Sequence, residues 1–208
     1  MSFTSLAATQ LEPYLGGQPL DPQQLDQVSH YLELLLRWNA RMNLTSVREP
    51  EQILSRHFGE SFFLARLLST SSPLTDAFDV GSGAGFPGIP LRIFAPHVHI
   101  TLIESQNKKA TFLREVVRSL RLTNINVISE RAENVEQTAE LVTLRAVEEF
   151  ERALPTAAAL VRKPGRIGLL IGSSQVSTAR QLLPEAKWEP AVSLPGSRER
   201  VAMVGSIA

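Results

Sequence analysis

Phe78-Asp79-Val80-Gly81-Ser82-Gly83-Ala84-Gly85-Phe86-Pro87-Gly88 follows an apolar segment and precedes a helical pattern, so three alternating glycines occupy a strand-to-helix turn. Without a Cβ, Gly81, Gly83 and Gly85 reach tight or left-handed conformations and let a ligand approach the bare main chain. Such a loop suits the floor of a nucleotide-cofactor pocket. Two ligands fit the spacing. Gly83, Gly85 and Gly88 satisfy the GxGxxG dinucleotide pattern, while Asp79, Gly81, Gly83 and Gly85 satisfy the DxGxGxG pattern of S-adenosylmethionine (SAM) enzymes. Asp79 tips the balance, because a carboxylate at a strand tip attracts the ammonium of a methionine moiety and repels a pyrophosphate. The sequence therefore favours SAM over NAD. A Gly/Pro-rich surface turn accounts for the glycines but not for Asp79 and Glu104 at their separate positions.

Downstream of the loop, short apolar runs alternate with helical patterns, as in a parallel sheet with crossover helices. Strands are expected at residues 77–80, 99–103, 125–128, 141–144 and 167–171, with helices after Pro87, Asn107, Glu133 and Val147. Two more strands, at 188–192 and 201–204, flank the turn Leu194-Pro195-Gly196-Ser197. The expected class is α/β: a Rossmann-like, doubly wound, mostly parallel seven-stranded sheet. A closing antiparallel hairpin would set it apart from a dinucleotide-binding fold. Upstream, Asp21-Pro22-Gln23-Gln24 combines an N-cap acid, proline at the first helical position and glutamine at the capping-box site. Leu25, Val28, Leu32, Leu35 and Leu36 then recur at helical spacing as far as Trp38. A second helix is expected from Glu49-Pro50 through Ile53, Leu54, Phe58, Phe62, Phe63, Leu67 and Leu68. Residues 69–73 read as a linker, dividing a helical extension, 1–70, from a cofactor-binding domain, 71–208, the two forming one structural unit.

The chain has 208 residues, 43% hydrophobic and 20% charged, which suits one soluble catalytic domain with a short extension. It has no cysteine, which excludes disulfides, thiolate-bound metal and cysteine nucleophiles. No segment approaches membrane-spanning length and the N-terminus lacks a basic region followed by an apolar core, so a cytoplasmic protein is expected. Twenty-one basic and 21 acidic residues cancel, so any polyanion site must be local. Two tryptophans, two tyrosines and nine phenylalanines show no interleaved base-stacking pattern. His57 in Arg56-His57-Phe58 lacks companions at metal-ligand spacing, and no metal is expected.

Ligands of an open parallel sheet collect beyond the carboxyl ends of its strands. Glu104 ends His99-Ile100-Thr101-Leu102-Ile103-Glu104 about twenty residues after the glycines, where an acid accepts both ribose hydroxyls of an adenosine. It also resembles the cap of the next helix. Arg131-Ala132-Glu133 after the third strand fits a cover for the adenine ring, with Glu133 equally readable as a helix N-terminal acid. Arg145 after the fourth strand suits a carboxylate or phosphate oxygen, or a surface ion pair with Glu148 or Glu149. Asn39, Asn43 and Thr45 cluster where the first helix ends, and helix termination alone would explain Asn43 and Thr45. Arg114, Arg118 and Arg121, with Lys108 and Lys109, form a basic strip on one helix, readable as a phosphate track or a solvated face.

WNARMNLTSV at 38–47, RHFGES at 56–61, DVGSGAGFPGIPL at 79–91, TLIESQNKKATFL at 101–113, Arg131-Ala132-Glu133 and LRAV at 144–147 together resemble the bacterial small-subunit ribosomal RNA guanine-N7 methyltransferase family, RsmG, also called glucose-inhibited division protein B. The resemblance covers most of the chain. It implies a class I SAM-dependent methyltransferase with an N-terminal helical extension, acting on a guanine N7 of 16S ribosomal RNA or of the small ribosomal subunit and releasing S-adenosylhomocysteine. No membrane or DNA partner is expected. By position, Gly81 and Phe86 border SAM, Ala132-Glu133 meets adenine and Arg145 lies in the pocket. The WNxxxNLT segment faces cofactor or RNA. Because N7 carries a lone pair and no proton, no general base is needed. Asn39 and Asn43 then suit the acceptor pocket, while Arg145, Lys109 and Arg114 suit phosphates. The chain departs from the family at Leu144, where serine is common, at Glu140, where aspartate is common, and at Ile171, where lysine is usual. The last removes a positive contact relevant to RNA. An NAD-dependent oxidoreductase, a small-molecule methyltransferase and a non-catalytic ribosome-assembly module are the alternatives.

Overall fold

The computed structural model describes residues 2–69, 74–147 and 149–208, so most of the 69–73 linker and Glu148 lie outside the described residues. Helix α1 (Phe3–Leu15), absent from the sequence expectation, starts where Ser2 Oγ accepts from Ser5 N at 3.3 Å and stops at left-handed Gly16. Helix α2 (Pro22–Met42) begins at the expected capping box: Asp21 Oδ1 accepts from Gln24 N at 2.8 Å and Gln24 Oε1 from Asp21 N at 2.9 Å. Asn43, at φ +48°, ends it.

The second helical stretch is not uniform. It runs as α3 (Pro50–Ile53), a π-helical turn at Leu54–Gly59, and α4 (Glu60–Ser69). The wider turn carries adjacent His57 and Phe58 into the interior, at 8% and 0% exposure. Ser61 Oγ donates to the His57 carbonyl at 2.6 Å within the altered ladder. Gly59 admits α1 at this point, since a Cβ there would stand 2.6 Å from the Tyr14 ring.

The sheet contains β1 (Asp76–Val80), β2 (His99–Ile103), β3 (Ile125–Ile128), β4 (Ala139–Arg145), β5 (Val161–Gly172), β6 (Lys187–Trp188), β7 (Val192–Ser193) and β8 (Arg200–Ile207). Its order is β3-β2-β1-β4-β5-β8-β6, with β7 also paired to β8. The first five strands are parallel, and β8 runs antiparallel between β5 and the β6–β7 edge, as the closing hairpin required. Eight strands replace the expected seven because residues 188–192 do not form one strand. Pro190 offers no backbone donor, and the edge splits on either side of it.

Crossovers are α5 (Gly88–Phe94), α6 (Asn107–Ser119), α7 (Phe150–Ala159) and α8 (Val176–Leu182). The helix expected after Glu133 is corrected to a single 3₁₀ turn, Ala132–Asn134, because β4 begins at Ala139 and leaves too little chain. Alternate strand residues face opposite cores. Ala77, Ile100 and Leu102 join Leu32, Phe58 and Phe62 of the extension, while Phe78, Val80 and Ile103 join Leu154 and Ala179 under α7 and α8. The extension, together with α5 and α6, thus covers one face of the sheet, and its residues Thr45, Arg56 and His57 reach the groove at the carboxyl rim. Among the described residues no helix is long and apolar enough to cross a membrane.

Candidate active site

The glycine loop stands on a buried acid. Asp79 is 1% exposed; its Oδ1 accepts from Thr143 Oγ1 at 2.8 Å and its Oδ2 from Gly88 N at 3.2 Å. Ser82 Oγ adds a bond to the Asp79 carbonyl at 2.8 Å. Burial raises the carboxyl pKa to about 6, against those hydrogen bonds and the Arg145 charge. The carboxylate therefore braces the loop from beneath. It does not line the groove above, contrary to the expectation of an ammonium contact.

The glycines also divide their roles. Gly81 and Gly83, at φ +66° and +57°, border the groove, and a Cβ on Gly83 would meet only the Gly81 carbonyl, at 3.8 Å. Gly85, at φ +93°, faces the other way. A Cβ there would stand 2.5 Å from the Tyr31 hydroxyl and 2.6 Å from Ile89, so this glycine serves packing with α2. Tyr31 donates to the Ala84 carbonyl, and its ring stacks on Phe86 at 5.3 Å and meets Phe58 edge-on at 5.0 Å. Burial and the Asp79 charge raise the Tyr31 pKa well above its usual value, so the donor is retained at neutral pH.

Two cavities meet over this loop. One, of about 420 Å³, is walled by Val80, Ile103, Ala132, Glu133 and Arg152. The other, of about 480 Å³, is lined by Ser82, Gly83, Phe86, Glu104, Lys109 and Arg145 of the sheet rim and by Thr45, Ser46, Arg56 and His57 of the helical extension. Gly81, Ser105 and Val147 border both, so the pair forms one groove across the carboxyl rim. Each volume lies in the usual range for a small-ligand site. Glu104, 5% exposed, lines the second cavity next to Ser105, its Oε2 accepting from Gly83 N at 2.9 Å and its Oε1 from Gln106 N at 2.8 Å. Each carboxylate oxygen keeps further accepting capacity for a diol. Ala132 and Glu133 line the first cavity, where Glu133 pairs with the exposed Arg152 at 3.2 Å.

Arg145 is anchored rather than poised for phosphate. Its Nη2 donates to the Arg56 carbonyl at 2.8 Å and to His57 Nδ1 at 2.9 Å, and lies 3.5 Å from Glu60 Oε2. Its guanidinium also lies 5.8 Å from the centre of the Phe86 ring. Of the two expected partners, Glu148 lies outside the described residues and Glu149 lies 3.6 Å from Arg152 instead; the carboxylate that holds Arg145 is Glu60, which also takes Arg200 Nε at 2.6 Å. Burial, followed by Arg145, Arg56 and Arg200, pushes the His57 pKa well below its usual value. The imidazole is therefore neutral near pH 7.

The asparagines shape the wall instead of lining it. Asn39, 3% exposed, accepts from Thr45 N at 2.9 Å and donates to the Val47 carbonyl at 3.4 Å. Asn43 accepts from Arg48 Nη2 at 2.9 Å. Of the basic strip, Lys109 borders the groove, whereas Arg114, Arg118 and Arg121 surround a separate depression near the start of β3. Thr45 belongs to the WNxxxNLT segment that the resemblance turns toward cofactor or RNA, whereas Arg56 and Glu60 were not singled out individually for the site from sequence, since the partners of Glu60 are set by tertiary folding.

The description "rRNA small subunit methyltransferase G" belongs to the family matched by residues 24–192. A ribosomal RNA small subunit methyltransferase G of Chloroflexus aggregans is 41% identical over 157 residues, 73% of this chain and 65% of that protein, so the chain spans slightly less than two thirds of that relative. Its counterpart in Roseiflexus sp. is 36% identical over 202 residues, 90% of this chain and 85% of the relative. A solved SAM-dependent methyltransferase from Aquifex aeolicus superposes with a TM-score of 0.61 at 15% identity, covering 80% of this chain and 97% of that one, a likeness of fold. With the matched segment running from α2 to β7 and enclosing both walls of the groove, the chain belongs to the ribosomal RNA small subunit methyltransferase G family.

Proposed function

We propose that the chain binds SAM along the rim groove and methylates N7 of a guanine in 16S ribosomal RNA, in the cytoplasm. The observation that carries this reading is the continuous groove over Gly81, with adenosine-sized space on one side and, on the other, a chamber lined by both the sheet rim and the helical extension. Its residues fit the cofactor. Ala132, Ile103 and Val147 offer an apolar slot for adenine, Glu104 suits the ribose hydroxyls, and the bare backbone of Gly81 and Gly83 suits the methionine portion. Bound SAM supplies an electrophilic methyl group on a sulfonium.

The chain's own residues then have to position the acceptor. Guanine N7 has an available lone pair and no proton at neutral pH, so no general base is required. His57, bonded at both ring nitrogens, is engaged as a structural link. Aligning N7 with the methyl carbon and sulfur is worth up to about 7–11 kcal/mol in favourable systems. Lys109 and Arg56 at the chamber's mouth suit RNA phosphates. N7 lies on the major-groove edge, which is deep and narrow in regular RNA, so an open loop or an assembling small subunit suits the site better than a duplex.

Calorimetry with SAM, S-adenosylhomocysteine and NADH, alongside labelled-methyl transfer to 16S ribosomal RNA and small subunits, tests the proposal. SAM binding and transfer that Gly81→Asp abolishes are the expected results. NADH binding without SAM binding would overturn it.

A further inference from the structure

The part of the chamber lining that the extension supplies contains a hydrogen-bond chain with a fixed direction. An arginine side chain can only donate, so His57 Nδ1, 2.9 Å from Arg145 Nη2, must accept. A neutral imidazole accepting at Nδ1 carries its proton on Nε2, which lies 2.7 Å from Thr45 Oγ1. The bonding network thus assigns the tautomer. Thr45 Oγ1 also accepts from Val47 N at 3.1 Å. With both lone pairs engaged, the hydroxyl has only its proton left to offer, and no acceptor for that proton stands among the described residues. The Thr45 backbone is fixed as well, through Thr45 N and Asn39 Oδ1 at 2.9 Å. Thr45 lines the same chamber as Gly81 and Phe86, so its one uncommitted hydroxyl proton is available there as a donor.

Resting on the methyltransferase reading, we propose that Thr45 Oγ1 donates to O6 of the target guanine, with His57 and Arg145 as the positioning residues that aim it. N7 must remain unbonded, because its lone pair makes the new bond to carbon. The group beside it on the same edge is an acceptor, O6, in guanine and a donor, the N6 amine, in adenine. A hydroxyl committed to donation therefore matches guanine and opposes adenine. The helical extension contributes base selection, and the sheet rim contributes the cofactor seat.

The test compares the full-length wild type with Thr45→Val and Thr45→Ser, reading SAM affinity by calorimetry and kcat/KM for transfer to small-subunit RNA carrying guanine or 2-aminopurine, which lacks O6, at the target. Thr45→Val is expected to lower kcat/KM on guanine RNA by about 10–100-fold, with SAM affinity held, and Thr45→Ser to recover most of the loss. Wild type should lose a similar factor on 2-aminopurine RNA, and Thr45→Val should lose no more there. Full activity of Thr45→Val on guanine RNA, multiplying losses, or a weakened SAM affinity that accounts for the defect would each overturn the proposal. The multiplication test also separates a lost contact from a folding defect. If wild type transfers no methyl to RNA, the failure lies in the underlying reading and is distinguishable from all of these.

Discussion

Asp79 links the glycine loop to acidity through a single buried carboxyl. Its pKa is raised from 3.8 to about 6 chiefly by burial, so between those values the folded protein holds a proton that the unfolded chain releases. The sign follows: stability from this group is fully present below pH 3.8 and is lost as pH rises through about 6, a change of at most about 3 kcal/mol. Urea midpoints measured from pH 4 to pH 7 should fall more steeply for wild type than for Asp79→Asn, and parallel curves would refute this. The spacing of Asp79 relative to the glycines was visible in the chain. Its orientation was not, because Thr143, which takes one oxygen, lies 64 residues away. Arg145 was identified as a pocket residue for the same reason that its partners were missed: Glu60 and His57 are 85 and 88 residues distant and meet it only after the extension docks.

At the level of elements, alternation and turn signals located β1 to β5, because a parallel sheet buried on both faces demands short β-branched and apolar runs. The capping box likewise announced α2. Less legible were features decided by packing. Nothing in Leu54–Gly59 distinguishes a π turn from an α-helix until the Tyr14 ring occupies the space beside Gly59. Gly85 illustrates the difference between pattern and purpose, since it belongs to the loop motif yet packs against Tyr31. Gly85→Ala is expected to destabilise the protein by about 1–2 kcal/mol from the left-handed backbone alone, and by more from the collision with Tyr31. Thermal melts would show a lowered Tm; an unchanged Tm would mean that α2 and the loop are not packed as described.

Across the whole molecule, the extension and the sheet bury their apolar residues in a shared core that includes Leu32, Phe58 and Phe62 together with Ile100 and Leu102. We infer that they unfold together. Trp38 on α2 and Trp188 on β6 report on different parts, and Trp38→Phe and Trp188→Phe each leave a single tryptophan, which is excited selectively. In each variant, fluorescence and far-ultraviolet circular dichroism should give one urea midpoint, whereas separated midpoints would show independent unfolding. That the two parts form one structural unit was expected from sequence, but which residues share the core was not legible, since it depends on which sheet face the helices cover.

The interruption at Pro190 also affects how copies of the chain meet. An outermost strand normally offers unpaired amides and carbonyls that invite a stranger's backbone to continue the ladder. Here that rim is cut into two dipeptides with an imino residue between them, and the opposite rim, β3, spans four residues. Neither border is a long template, so the architecture guards against edge-to-edge aggregation while leaving the groove at the carboxyl ends of the strands uncovered by a neighbouring chain.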